Sequence, residues 1–263
     1  MHTFDSLMRD LADLPIDRKG TLLVHSSMKS LGEVDGGADT VLDALSEYMK
    51  DGLLVLPTHT WDHIGTGKGQ SDLFDYRTEP VCIGLLPEMF RKRPNVIRSL
   101  HPTHSVAALG RGAESYVSGD EYINTPAGRN GCWGKLYDRS AKVLFLGCGV
   151  SCNTYIHGVE EWNDVPDRLT KGTCVLRTVS RDGGSIISVD HHRHHTEFSE
   201  GGEVSRHYGK IMPYFVQRGA ASWHRVGSAA VCVADCRMMA DLLSPMLRRD
   251  PALFSTFEPV RIR

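Results

Sequence analysis

Apolar residues recur at helical spacing over residues 3–13, where Phe4, Leu7, Met8 and Leu11 make one face and Thr3 or Asp5 can cap the first turn. The pattern then shortens. Thr21-Leu22-Leu23-Val24-His25 reads as a buried strand that empties into a small, polar, glycine-bearing loop from Ser26 to Gly37. An amphipathic helix is expected over residues 38–50, with Val41, Leu42, Leu45 and Met49 on one side. A second buried strand, Leu53-Leu54-Val55-Leu56, is stopped by Pro57. Residues 58–80 read as irregular, 83–92 as a helix, 105–109 as a strand and 119–135 as a long loop. Lys142 to Gly147 is the clearest strand, its unbroken apolar run implying burial on both faces. A helix follows from about Thr154 to Trp162. Residues 173–180 and 185–190 suggest a hairpin around Arg181-Asp182-Gly183-Gly184, and 203–218 a helix. Extended pieces around Gly227 are expected over 222–234, and a last helix over 235–248. Strands alternating with helices predict an α/β layered fold.

Composition adds bounds. The chain has 263 residues, 41% hydrophobic and 24% charged, enough to bury a real core. A net charge of -2 predicts no nucleic-acid partner, and the clusters Arg91-Lys92-Arg93 and Arg248-Arg249 are read as solvated surface. No stretch reaches the roughly 20 apolar residues of a membrane span, and no apolar run follows a basic start. With seven unpatterned cysteines, the expectation is a cytoplasmic protein with reduced thiols and no membrane partner.

Four segments carry candidate chemistry. In KVLFLGCGVSCNTYIHGVEE a buried strand ends in Gly147-Cys148-Gly149 and a helix opens near Asn153 or Thr154, either of which can cap it. His157 then falls in the first turn and Glu160 three residues on along the same face. The helix N-terminus disfavours an imidazolium, and Glu160 can hold one ring nitrogen while the other serves as a base. Spacing alone leaves open that His157 is an ordinary helix residue. In SLHPTHSVAALG, His101 and His104 flank a turn at Pro102 and are too few to hold a metal. Strand-end backbone and hydroxyls in HSSMKSLGEVDGG suit phosphate or amide oxygens, with Lys29 able to meet a phosphate, yet neither common glycine fingerprint is present. The fourth, DHHRHHTE, has four histidines in five residues, a metal site or a substrate rim, without a third carboxylate or thiol ligand at standard spacing.

Taken in order, HSSMKSLGEVDGGADTVLDAL, LPTHTW, LHPTHSVAALG, WGKLYDRSAKVLFLGCGVSCNTYIHGVEE and DPALF resemble the aminoglycoside 3-N-acetyltransferase family across nearly the whole chain. The resemblance implies one domain over residues 1–263 with a three-layer α/β/α sandwich, and additional antiparallel strands in the C-terminal third. It implies acetyl-CoA as cosubstrate, no metal, and a small-molecule amine as acceptor, in a monomer or homodimer. By the same resemblance His157 is the general base and Glu160 its partner. Ser26, Ser27, Lys29, Ser30, Leu31 and Gly32 hold CoA, with Ser105 and Thr154 near the thioester. Glu161, Asp62 and His191 are expected to meet substrate, with Asp164, Glu197 and Glu200 as further acidic groups. One departure stands out: many members that modify antibiotics carry an aspartate where this chain has Ser151. That puts the antibiotic acceptor in question and leaves a biosynthetic amine open. Two other chemistries compete: a covalent mechanism through Cys152, beside Cys148 and five residues before His157, and a metal-dependent hydrolase built on the histidine-rich segment.

Overall fold

The computed structural model describes residues 1–195 and 203–260. Helix α1 (Phe4–Ala12) starts where the sequence caps it: Thr3 accepts the Ser6 N–H and the Ser6 hydroxyl accepts the Thr3 N–H. Strand β1 (Thr21–Ser26), α2 (Gly37–Tyr48) and β2 (Leu53–Pro57) follow. Next come β3 (Leu73–Phe74), α3 (Leu85–Phe90), β4 (Ile97–Arg98), β5 (Val106–Gly110), α4 (Ala113–Val117) and α5 (Cys132–Asp138). The second half holds β6 (Lys142–Leu146), α6 (Thr154–Trp162), β7 (Cys174–Val179) and β8 (Ile186–His191). It closes with α7 (Met212–Gln217), β9 (Ala221–Val226), β10 (Ala229–Asp235) and α8 (Cys236–Arg249).

Seven strands form one sheet in the order β4-β5-β2-β1-β6-β10-β9. Its centre, β2-β1-β6, is parallel, with Leu23 opposite Val55 on one side and Val143 on the other. Both flanks are antiparallel: β5 and β4 beyond β2, β10 and β9 beyond β6. Alternate residues of the central strands feed two separate cores, which is why these strands read as unbroken apolar runs. Leu22, Val24, Leu54, Leu56, Leu144 and Leu146 pack against α1, α2 and α3. Leu23, Leu53, Val55, Val143 and Phe145 pack against α4 to α8. Each such side chain contributes about 1.5–3 kcal/mol on burial, and the result is the expected α/β/α sandwich. A three-stranded sheet, β3-β7-β8, covers its own small core of Ile64, Phe74 and Leu176.

Both C-terminal hairpins form as expected, β7–β8 through Arg181–Gly184 and β9–β10 around Gly227. Four expectations change, the first being that residues 58–80, read as irregular, contain β3. Residues 203–218 form a 3-10 helix, Val204–Ile211, before α7, with Pro213 at the start of the α-helical part. The expected loop over 119–135 contains a 3-10 turn at Asp120–Tyr122 and the start of α5. The loop after β1 contains a 3-10 turn, Met28–Leu31.

That turn packs against the end of β6. A Cβ on Gly147, at φ +71, would lie 2.7 Å from the Ser30 Cβ and 3.1 Å from that of Ala229. Gly147→Ala is therefore strained in both conformation and space. It should lower unfolding free energy by about 1–3 kcal/mol, read as a shifted urea midpoint. An unshifted midpoint would show that the turn yields freely.

Candidate active site

The parallel strands β1, β2 and β6 all present their carboxyl ends on one edge of the sheet, the position where ligands bind in open α/β folds. A cleft of about 540 Å³ opens there. His25 and Ser26 reach it from β1, Pro57 and His59 from β2 and just beyond, and Cys148, Ser151 and Cys152 from the turn after β6. Thr154 and His157 enter it from the first turns of α6. Asn153 occupies the cap position of α6 but makes no capping bond with its side chain.

His157 is held from behind. Its Nδ1 lies 2.7 Å from the Tyr208 hydroxyl, which donates at 2.5 Å to Oε2 of Glu160. With that proton committed to the carboxylate, the Tyr208 oxygen accepts from Nδ1–H, and Nε2 keeps its lone pair. Glu160 itself stands 3.9 Å from Nδ1, too far for a hydrogen bond, so the expected direct contact is replaced by a hydroxyl bridge. The other carboxylate oxygen of Glu160 receives Arg168 Nε at 2.6 Å. Arg168 in turn reaches the Ser255 hydroxyl at 3.3 Å, and Phe254 backs Tyr208 with ring centroids 4.9 Å apart. Burial, with His194 and Arg168 nearby, holds His157 well below the ordinary imidazole pKa. Burial also raises the carboxyl pKa of Glu160, against the pull of Arg168 and Tyr208.

A row of imidazoles lines the same edge. His194 stacks on His157 with centroids 4.4 Å apart. His104 meets His194 at 5.1 Å and His59 at 4.7 Å, and His101 meets His191 at 5.3 Å. Burial pushes His59 and His104 well below the usual imidazole range, and His25 and His191 down to about 3. Among the described residues no three metal-ligating side chains are gathered to hold an ion.

The expected site residues divide into two groups. His157, Thr154 and Ser26 line the cleft; Ser27, Lys29, Ser30 and Gly32 continue from Ser26 onto the surface, where Lys29 and Ser30 are exposed. Leu31 is fully buried among core residues, so its side chain is not available to a ligand. Ser105 is also fully buried and committed, donating to the Thr58 carbonyl at 2.7 Å and accepting from Arg98 Nε at 3.2 Å. It is a joint between β5 and β2 rather than a cleft residue. Asp62 is exposed beside the cleft residue Trp61, His191 is buried against His101, and Glu161 sits behind His194. Glu197 and Glu200 lie outside the described residues. Among the described lining residues Glu203 is the acidic one, beside Arg193 and Arg206. Tyr208 and Arg168 carry no signal in the sequence. His194 has one, the histidine-rich segment, and it lies just beyond the end of β8 at His191.

The family model for aminoglycoside 3-N-acetyltransferase matches residues 23–248. Over 251 residues, 94% of this chain and 88% of the relative, the sequence is 30% identical to aminoglycoside N(3)-acetyltransferase IV of Salmonella sp. It is also 30% identical over 177 residues to the SPbeta prophage-derived aminoglycoside N(3')-acetyltransferase-like protein YokD of Bacillus subtilis (strain 168), a match spanning 60% of this chain and 64% of that relative. The crystal structure of the apoenzyme of aminoglycoside acetyltransferase AAC(3)-IVa superposes with a TM-score of 0.77 at 25% identity, covering 96% of this chain and 91% of that one.

Proposed function

Because the chain belongs to the aminoglycoside 3-N-acetyltransferase family, we propose that it moves the acetyl group of acetyl-CoA directly onto a primary amine, with His157 as general base. The acceptor on this reading is the 3-amino group of a 2-deoxystreptamine aminoglycoside, and the protein works in the cytoplasm. The observation that carries the reading is the buried relay Arg168–Glu160–Tyr208–His157, which ends at a cleft-lining ring and assigns the lone pair to its Nε2.

The chemistry follows from that lone pair. His157 Nε2 takes a proton from the nitrogen as it attacks the thioester carbonyl. Tyr208 and Glu160 steady the imidazolium that results. Thr154, in the first turn of α6, lines the cleft where the developing oxyanion can meet backbone N–H groups. CoA leaves as the thiolate and recovers the proton. The test is release of CoA against aminoglycosides with and without a free 3-amino group, run beside simple amino sugars. Activity confined to the 3-amino set supports the reading; inactivity on every member of that set removes the antibiotic acceptor.

A second acceptor is favoured by one observation. Ser151 lines the cleft, at the position where antibiotic-modifying members are expected to carry an aspartate. Such a lining suits an amine of lower positive charge, and the simple amino sugars in the same screen report on it.

Cys152 is not needed on this reading. Its thiol donates to the Gly149 carbonyl at 2.8 Å and sits 3.3 Å from the Cys148 sulfur, tied into the turn before α6. Cys152→Ser should keep kcat within about threefold of wild type, and no acetyl group should appear on its peptide after mixing with acetyl-CoA. An acetylated Cys152 would instead establish a covalent route.

A further inference from the structure

The acceptor nitrogen has to lose two protons, yet the relay supplies one base. An aliphatic amine arrives at neutral pH as R–NH3⁺. The balanced reaction is R–NH3⁺ plus acetyl-S-CoA giving R–NH–CO–CH3, CoA-SH and one H⁺. The N–C bond forms, the C–S bond breaks, one proton ends on the CoA sulfur and the other must reach solvent.

The stacked histidine answers that need. His194 lines the cleft beside His157, its ring 25° from parallel and 4.4 Å away. Its Nε2 lies 2.7 Å from Oε1 of Glu161, so the N–H points at the carboxylate and Nδ1 is left for a ligand. Glu161 is fixed by the Ala127 N–H at 2.9 Å, and its Oε2 is buried with no partner among the described residues. Successive residues of α6 thus serve two rings: Glu160 supports His157 through Tyr208, and Glu161 supports His194 directly. The groups facing His194 are Glu161, Glu160 and His157 on α6, His104 and His101 on the turn before β5, and His59 after β2. Within that row His194 is the ring with a carboxylate in hydrogen-bond contact.

We propose that His194, backed by Glu161, is a second proton acceptor, which takes the first proton from the bound ammonium and passes it to solvent before His157 acts at the attack. This rests on the N-acetyltransferase reading above. It assigns chemistry to the histidine-rich segment that the His157 relay leaves unused.

The experiment compares His194→Gln with wild type using sisomicin as the amine, following kcat/KM from pH 6.5 to 9.5. The variant should lose about tenfold or more near pH 7 and approach wild type as pH rises, since solution then supplies the neutral amine. The KM for acetyl-CoA should not move. A loss that is the same at every pH marks a structural role and overturns the proposal, as does no loss at all. Glu161→Gln carries the same pH signature if His194→Gln does not fold, and failure of both to fold would place the pair in the scaffold and overturn it. Wild-type protein inert toward sisomicin and the wider amine panel removes the acetyltransferase reading and this inference with it. An active wild type with an unchanged variant removes this inference alone.

Discussion

Replacing His157 with alanine is expected to lower turnover by about 10²- to 10⁴-fold, the usual scale for a lost general base, while acetyl-CoA binding measured by calorimetry stays nearly unchanged. The ring projects into the cleft with its side chain 15% exposed, so its removal opens space without emptying the core. Tyr208→Phe tests the same relay from behind. It strips Nδ1 of its acceptor and Glu160 of a donor while keeping the ring that packs on Phe254. Turnover should fall, by less than in His157→Ala, since Nε2 remains but the tautomer is no longer enforced. A His157→Ala protein that keeps more than about a tenth of its turnover ends the assignment.

The second large effect is on stability against acid. Buried His25 and His191 have folded pKa values of about 3, below the ordinary value of 6.5, and burial moves His59 and His104 in the same direction. The unfolded chain therefore binds more protons than the folded one below pH 6.5, and stability falls as pH falls. The contribution is intact above 6.5 and drains toward about 3. Each ring approaches about 1.4 kcal/mol per pH unit once pH is below 6.5, so His25 and His191 alone remove about 3 kcal/mol between pH 6.5 and 5. Glu160, whose carboxyl pKa is raised, acts in the opposite sense, as one group against several. Against a typical total of 5–15 kcal/mol this is a major share. Urea titrations at pH 7 and pH 5 measure it. A difference under about 1 kcal/mol would mean that these rings are not held neutral.

The parts of the fold that sequence patterning captures are those whose burial leaves a periodic trace. β1, β2 and β6 are sandwiched between two cores, so every position is apolar and the run cannot be missed. α5 leaves the opposite trace. Gly131, Cys132, Trp133 and Gly134 read as loop, but a Cβ at Gly134 would sit 1.7 Å from the Arg129 carbonyl oxygen. That glycine serves a close backbone approach inside a helix rather than a turn. The site divides in the same way. His157 and Glu160 share one helix, so their spacing is visible. Tyr208 joins them from 48 residues away in a segment whose pattern is that of any amphipathic helix. Ser105 misleads because a hydroxyl beside two histidines resembles chemistry, whereas its neighbours in space are Thr58 and Arg98.

Phe254 and Ser255 close the relay from behind, one against Tyr208 and the other on Arg168. The order of synthesis gives this a meaning of its own. His157 and every strand of the large sheet precede those two residues in the chain. A polypeptide grown through β10 and α8 can assemble its sheet and cleft while the backing of its base is still missing. Proton handling then depends on residues made after every strand of the large sheet.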